Sequence, residues 1–215
     1  MPTPQEVEIK FLVPDLKALA KKLKELGFRL ETPSTHEVNT LYDLPGGELR
    51  RKGEILRLRK YGDKWKLTHK AKGKPGKHKS RAEAETALTN GEQMDAILRA
   101  VGFLPVFAYE KFRSEWTDGQ GQVVLDHTPI GDVAEIEGKS RWIDRTARTL
   151  GVESKNYITK SYGELFIDWK RKTECEAENM TFRECGKCTN AAKQSAQPSE
   201  AKTSSTRRRS RSRTR

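Results

Sequence analysis

The chain has 215 residues, 33% of them charged and 34% hydrophobic, with a formal net charge of +12; that length suits one sizeable core, or one domain with an appended tail. From residue 171 onward there are twelve Lys or Arg against five Asp or Glu, which is +7 of the total, and Trp and Tyr disappear. The expected division is a globular domain over 1–170 and a disordered basic tail, rich in Ser, Thr and Arg, over 171–215.

The first element is expected as a strand over 5–13, where EVEIKF alternates Glu6, Glu8 and Lys10 with Val7, Ile9 and Phe11. A helix follows, opening at Pro14 with Asp15 in its first turn and closing at Gly27; Leu16, Leu19, Leu23 and Leu26 share one face. An extended stretch runs to about Asp43 and turns at Pro45-Gly46-Gly47. Strands over 54–61 and 64–71 form a hairpin through Gly62-Asp63. KGKPGKHK, residues 72–79, reads as a basic loop before a strand over 80–88. A second amphipathic helix spans 91–102. Strands at 105–117, 121–128 and 132–138 follow, then a helix over 140–151, and SYGELFIDW finishes the fold.

The two-residue period of EVEIKF recurs in the other strands. ILRLRKY puts Arg57 and Arg59 on one face, WKLTHK puts Lys66, Thr68 and Lys70 together, and SRAEAET groups Arg81, Glu83 and Glu85. YEKFRSEW groups Lys111, Arg113 and Glu115, VVLDHT offers Asp126, and DVAEIEG offers Glu135 and Glu137. Were the charged faces outward, the amphipathic helices would have little left to cover. With them inward, the helices cover the apolar outside. The expected fold is therefore mainly β (α+β): a closed antiparallel β-barrel tunnel of about eight strands, with helices packed on the outside.

A tunnel lined by both carboxylates and cations is costly to desolvate empty. A polyphosphate with Mg²⁺ or Mn²⁺ would fill it, since the metal takes hard oxygen ligands and Arg and Lys take phosphate oxygens. Carboxylates two residues apart on a strand repel one another, and a shared cation relieves that. Glu6, Glu8, Glu135 and Glu137 are the metal candidates on these grounds.

EVEIK matches the ExExK signature of the CYTH superfamily, the triphosphate tunnel metalloenzymes, and the chain resembles that family from about residue 5 to 167. LRLRK, WKLTHK, SRAEAE, EKFRSEW, VVLDHTPIGDVAEIEG and KSYGELF follow in the family's order. The resemblance implies a tunnel that binds ATP or another triphosphate with Mg²⁺ or Mn²⁺. By carry-over, Glu6, Glu8, Glu135 and Glu137, with Asp126, would serve the metal. Lys10, Arg57, Lys111 and Arg113 would act on the reacting phosphates; Arg59, Lys66, Lys70, Arg81 and Lys160 would hold substrate. EKFRSEW and the LDHTPIGDVAEIEG run are more similar to the class IV adenylyl cyclase branch than to the thiamine triphosphatase branch. The expected reaction is ATP to cyclic AMP and pyrophosphate; the alternatives are a tunnel triphosphatase and a non-catalytic polyphosphate-binding module.

Other signals carry less. GKPGK lacks the ending of a phosphate-binding Walker loop. His36, His69, His78 and His127 are scattered, and Tyr162 either closes the tunnel or packs. Cys175, Cys185 and Cys188 fall in the tail, where an odd count does not suggest a secreted disulfide framework and Cys185-Gly-Lys-Cys188 is half a zinc signature. RRRSRSRTR gives the tail either a weak nucleic-acid or polyanion contact or the role of a solvated appendage. A homodimer is a further expectation. No apolar run is long enough for a membrane helix, and MPTPQEVE lacks the apolar core of a signal peptide, so the expectation is a cytoplasmic location away from membranes.

Overall fold

Charged and apolar residues alternate along eight strands: β1 (Gln5–Leu12), β2 (Arg29–Asp43), β3 (Ile55–Tyr61), β4 (Lys64–Lys70), β5 (Lys79–Leu88), β6 (Leu104–Thr117), β7 (Gln122–Thr128) and β8 (Gly131–Glu137). The computed structural model describes residues 5–195. The strands close into a barrel in the order β1-β5-β4-β3-β2-β6-β7-β8, every pair antiparallel, with β8 returning to β1. Residues directly opposite on neighbouring strands share a face, so the register decides which charges meet inside. Glu8 has Lys79 on one side and Glu137 on the other, Lys10 faces Glu135, Glu37 faces Lys111, and Arg113 faces Asp126.

The apolar residues of the same strands point outward, and helices cover them. Ile9 and Phe11 of β1, Val123 and Leu125 of β7, and Ala134 and Ile136 of β8 pack under Leu19 and Leu23 of α1 (Leu16–Glu25) and Trp142, Ile143 and Ala147 of α4 (Ser140–Leu150). Side chains such as Ile9, Leu23 and Ile143 are wholly buried there, and each contributes about 1.5–3 kcal/mol. On the opposite wall, Leu98 and Met94 of α3 (Gly91–Ala100) sit against Tyr42, Leu58 and Trp65. A Cβ at Gly91 would lie 2.0 Å from the Trp65 ring, so only glycine lets α3 start this close to β4.

Several boundaries differ from expectation for identifiable reasons. Asp15 accepts from the backbone N–H groups of Lys17 and Ala18, which makes it the N-cap and places the helix start at Leu16, two residues after Pro14. The extended stretch before Asp43 is β2, fifteen residues long and paired to both β3 and β6. After the turn comes an unexpected short helix, α2 (Glu48–Lys52), because the Asp43 carboxylate accepts from Leu49 N and Arg50 N. SYGELFIDW forms α5 (Tyr162–Thr173), opened by a capping box between Ser161 and Glu164.

The boundary at 170 does not hold, since it falls inside α5. Beyond it, Met180 is wholly buried and bridges to Tyr109 of β6. Met180 N donates to Ala108 O, Glu110 N to Met180 O, and Ala108 N to the Asn179 side chain. A further helix, α6 (Phe182–Ser195), follows, and a disulfide joins Cys175 to Cys188. That pairing accounts for Cys188 without metal. The few apolar residues of this part of the expected tail are nonetheless used: Met180 and Cys185 are buried in a cluster with Tyr109, Tyr162 and Phe166, and the strap formed by residues 174–181 is tied to the strand edge by backbone hydrogen bonds, which composition does not reveal. The segment RRRSRSRTR lies outside the described residues.

Candidate active site in the barrel interior

The inward faces enclose a cavity of about 560 Å³. One wall carries Glu6 and Glu8 of β1 and Glu135 and Glu137 of β8; the rest is dominated by Arg57 and Arg59 of β3, Lys66 and Lys70 of β4, Lys79 and Arg81 of β5, and Lys111 and Arg113 of β6. Lys10 stands among the carboxylates, 2.7 Å from Glu8 and 3.4 Å from Glu135. At one end Tyr162, the first residue of α5, stacks on Tyr109 and lies beneath the ammonium groups of Lys111 and Lys10, 4.3 and 5.7 Å from its ring centre.

Ion pairs between adjacent strands and between strands one apart fix most of these groups. Lys70 bridges Glu6 and Glu83 at 2.7 and 2.6 Å, and Arg81 also reaches Glu6, at 3.1 Å. Lys66 lies 2.5 Å from Glu85, and Arg59 lies 3.3 Å from it. Arg113 contacts Asp126 at 2.6 Å and Glu135 at 2.8 Å. Glu37 is fully buried, 3.5–3.8 Å from Lys111, Arg59 and Arg113; Asn39 donates to it at 2.9 Å. Its Oε2 has no hydrogen-bond partner.

Burial pushes Glu6, Glu8 and Glu137 up, and the neighbours decide the outcome. For Glu6 burial is outweighed by Lys70, with Arg81 helping, and the group falls to about 2. For Glu8 the Lys10 ammonium likewise outweighs burial, despite the nearby Glu135 and Glu6. Glu137 is the exception: burial pushes it up, and Glu6, Glu135 and Glu8 add to that, to about 7. A carboxyl that holds its proton because other carboxylates crowd it marks a place where a cation would be welcome. Among the described residues no group of three or more His, Cys, Asp or Glu is arranged as a ready metal cage. Mg²⁺ or Mn²⁺ suits such a wall all the same, because Mg²⁺ commonly takes one or two carboxylates and completes its shell with substrate phosphates and water. The hard oxygen donors of Glu6, Glu8, Glu135 and Glu137 fit that role.

Of the residues singled out from the sequence, Glu6, Glu8, Lys10, Arg57, Arg59, Lys66, Lys70, Arg81, Lys111, Arg113, Glu135 and Glu137 all line the cavity. Asp126 does not. Its carboxylate accepts from Lys111, Arg113 and the Tyr162 hydroxyl, so it is the counter-ion that holds two cations rather than a metal ligand. Lys160 is also displaced: its ammonium pairs with Asp168 of α5, half exposed, outside the lining. The sequence reading missed Glu37 and Asn39, although Glu37-Val38-Asn39-Thr40-Leu41 alternates as the other strands do. Lys79 reads in sequence as the end of the basic loop but is the first residue of β5 and lines the cavity.

The CYTH domain family matches residues 4–162. A Methanocaldococcus jannaschii protein named a putative adenylate cyclase is 26% identical over 171 residues, 74% of this chain and 97% of its own. Adenylate cyclase CyaB of Aeromonas hydrophila is 27% identical over 168 residues, 73% and 86% of the two chains. Among solved structures, a putative adenylate cyclase of Vibrio parahaemolyticus superimposes with a TM-score of 0.68 at 21% identity, covering 77% of this chain and 99% of its own. A Hippeastrum protein, named a putative adenylyl cyclase and described as having a dominant triphosphatase activity, does so with a TM-score of 0.55 at 19% identity, covering 76% and 95%. With an ExExK strand, a closed eight-stranded barrel and a charged interior, this chain belongs to the CYTH family.

Proposed function

We propose that the chain is a divalent-metal-dependent enzyme acting on a triphosphate, and that its reaction is the conversion of ATP to cyclic AMP and pyrophosphate. The observation that carries this reading is the cavity, in which a carboxylate wall on β1 and β8 faces a cationic wall on β3, β4 and β6. Arg57, Arg59, Lys66, Lys111 and Arg113 would hold the phosphate oxygens, with guanidinium groups favouring bidentate contact. Glu8, Glu135, Glu6 and Glu137 would hold Mg²⁺ or Mn²⁺, which when bound offsets phosphate charge. In cyclisation the ribose 3′-oxygen bonds to the α-phosphorus while the bond from that phosphorus to the bridging oxygen breaks. The hydroxyl proton leaves to solvent water, and the charge gathering on departing pyrophosphate is met by fixed cations.

A second reading, hydrolysis of inorganic or thiamine triphosphate, has its own support. Most of the lining is Lys, Arg or Glu, and only Leu41, Ile55 and Val124 are aliphatic, so the walls address phosphate more than a purine. The names of the relatives favour the cyclase. Products from ATP, tripolyphosphate and thiamine triphosphate with Mg²⁺ or Mn²⁺, resolved by phosphorus NMR, separate the two. Cyclic AMP with pyrophosphate establishes the cyclase, and orthophosphate without cyclic AMP establishes the hydrolase.

A further inference from the structure

Lys79 stands apart from the other buried ammonium groups of the cavity. Lys10, Lys70 and Lys111 each donate a hydrogen bond to a carboxylate at 2.7–3.0 Å. The Lys79 Nζ is buried, lines the same cavity and has no hydrogen-bond partner; its nearest carboxylate oxygen is Glu8 Oε1 at 3.6 Å. An ammonium has three donors, and leaving them unmade in a desolvated place is costly. The chain accepts that cost at the position opposite Glu8 in the β1–β5 register.

The segment leading into Lys79 is held so that the ammonium stays there. Asp144 of α4 accepts from Lys77 Nζ at 2.9 Å, from the Tyr157 hydroxyl at 3.1 Å, and pairs with His78 Nε2 at 2.9 Å. Lys77 also lies 5.5 Å from the Tyr157 ring centre. Two consecutive residues before Lys79 are thus bolted to the outside of the barrel, and Lys74 bridges to Ser80 just after it. A loop that reads in sequence as a solvated basic turn is an anchored arm.

We propose that Lys79 is a substrate-binding residue whose ammonium donates to a non-bridging phosphate oxygen of the bound triphosphate, and that Asp144 is the positioning residue that aims it. This rests on the triphosphate reading of the cavity. The unmade hydrogen bonds are completed by the ligand, next to the wall assigned to the metal, so Lys79 meets the part of the polyphosphate nearest that ion.

The test is calorimetric titration of the full chain with inorganic tripolyphosphate and Mg²⁺, comparing wild type, Lys79→Met, Lys79→Arg, Asp144→Asn and the outward control Lys17→Met. A charge-assisted hydrogen bond lost on Lys79→Met predicts about 10- to 100-fold weaker binding. Lys79→Arg should recover most of it, and Asp144→Asn should weaken binding by a smaller factor that vanishes in the Lys79→Met background. Lys17→Met should bind as wild type does, which separates a local contact from loss of net charge. Should Lys79→Met fail to fold, Lys79→Gln keeps a polar terminus and is read in the same way. Wild type that binds no tripolyphosphate overturns the triphosphate reading, and Lys79's role with it. Tight wild-type binding left unchanged by both Lys79→Met and Lys79→Gln overturns the role of Lys79 alone.

Discussion

Glu37 is an anion placed among cations that line the cavity, and its replacement by Gln tests what balances them. Its carboxylate is fully buried and lies 3.5 Å from Lys111, 3.7 Å from Arg59 and 3.8 Å from Arg113. Burial opposes its charge, yet Lys111, Arg113 and the β3 arginines hold it well below the usual carboxylate range, so it is ionised throughout the working pH range. Glu37→Gln preserves shape and the contact with Asn39 but leaves the cations short of one counter-charge. Breaking a buried pair costs about 3–5 kcal/mol. At about 2–4 °C per kcal/mol for a chain of this size, the melting temperature should fall by about 6–20 °C. Tripolyphosphate brings negative charge to the same cations, so it should raise the melting temperature of Glu37→Gln more than that of wild type. Thermal melts followed by circular dichroism, with and without tripolyphosphate, measure both effects. A variant melting within about 2 °C of wild type, or one stabilised less by the ligand, would show that Glu37 does not balance this cluster.

Glu8→Gln should abolish turnover and weaken the dependence on Mg²⁺, because it removes a hard anionic donor; full activity with an unchanged Mg²⁺ response refutes that role. Because Glu137 keeps its proton up to about pH 7 and a metal needs the carboxylate form, Mg²⁺ affinity in the presence of tripolyphosphate should fall as pH drops below about 7 and level off above it. Glu137→Gln should flatten that component, and an identical pH profile in the two proteins would refute it. The sign for folding is opposite to that of a paired acid: the raised value adds stability at low pH that is lost as pH rises from about 4.5 to about 7. Ending the chain at residue 170 should lower the melting temperature sharply, since it removes Met180 and the strap bonds to β6; a melt equal to that of the full chain would show that the strap contributes nothing.

The barrel was legible because its interior is polar and its exterior apolar, so one two-residue period repeated across strands carried both fold and site. Glu6, Glu8, Lys10, Arg57, Arg59, Lys111 and Arg113 follow from that period, and all line the cavity. Glu37 and Asn39 obey it as well, but they sit in a strand whose first half, RLETPSTH, contains Pro33 and has register shifts near Thr32 and Thr35, which hides the period. Asp126 and Arg113 alternate correctly too. Periodicity gives a face, however, and not whether a side chain meets solvent or a neighbouring cation, so the counter-ion resembled a ligand. The strap after Thr173 was illegible for a different reason: its hydrogen bonds run mostly to backbone atoms, which every residue type but proline can supply in full.

The strap also bears on how the protein behaves in a crowded solution. β7 pairs with β6 only from Phe112 onward, and the stretch of β6 before it, where Val106 is 58% exposed, would otherwise offer bare N–H and C=O groups beside apolar side chains. An open strand edge of this kind recruits strands from other molecules. With Asn179 and Met180 seated on that edge and the Cys175–Cys188 link closing the loop around them, the last part of the described chain covers it, and reducing that one bond would loosen the cover beside Tyr109, which also lines the cavity.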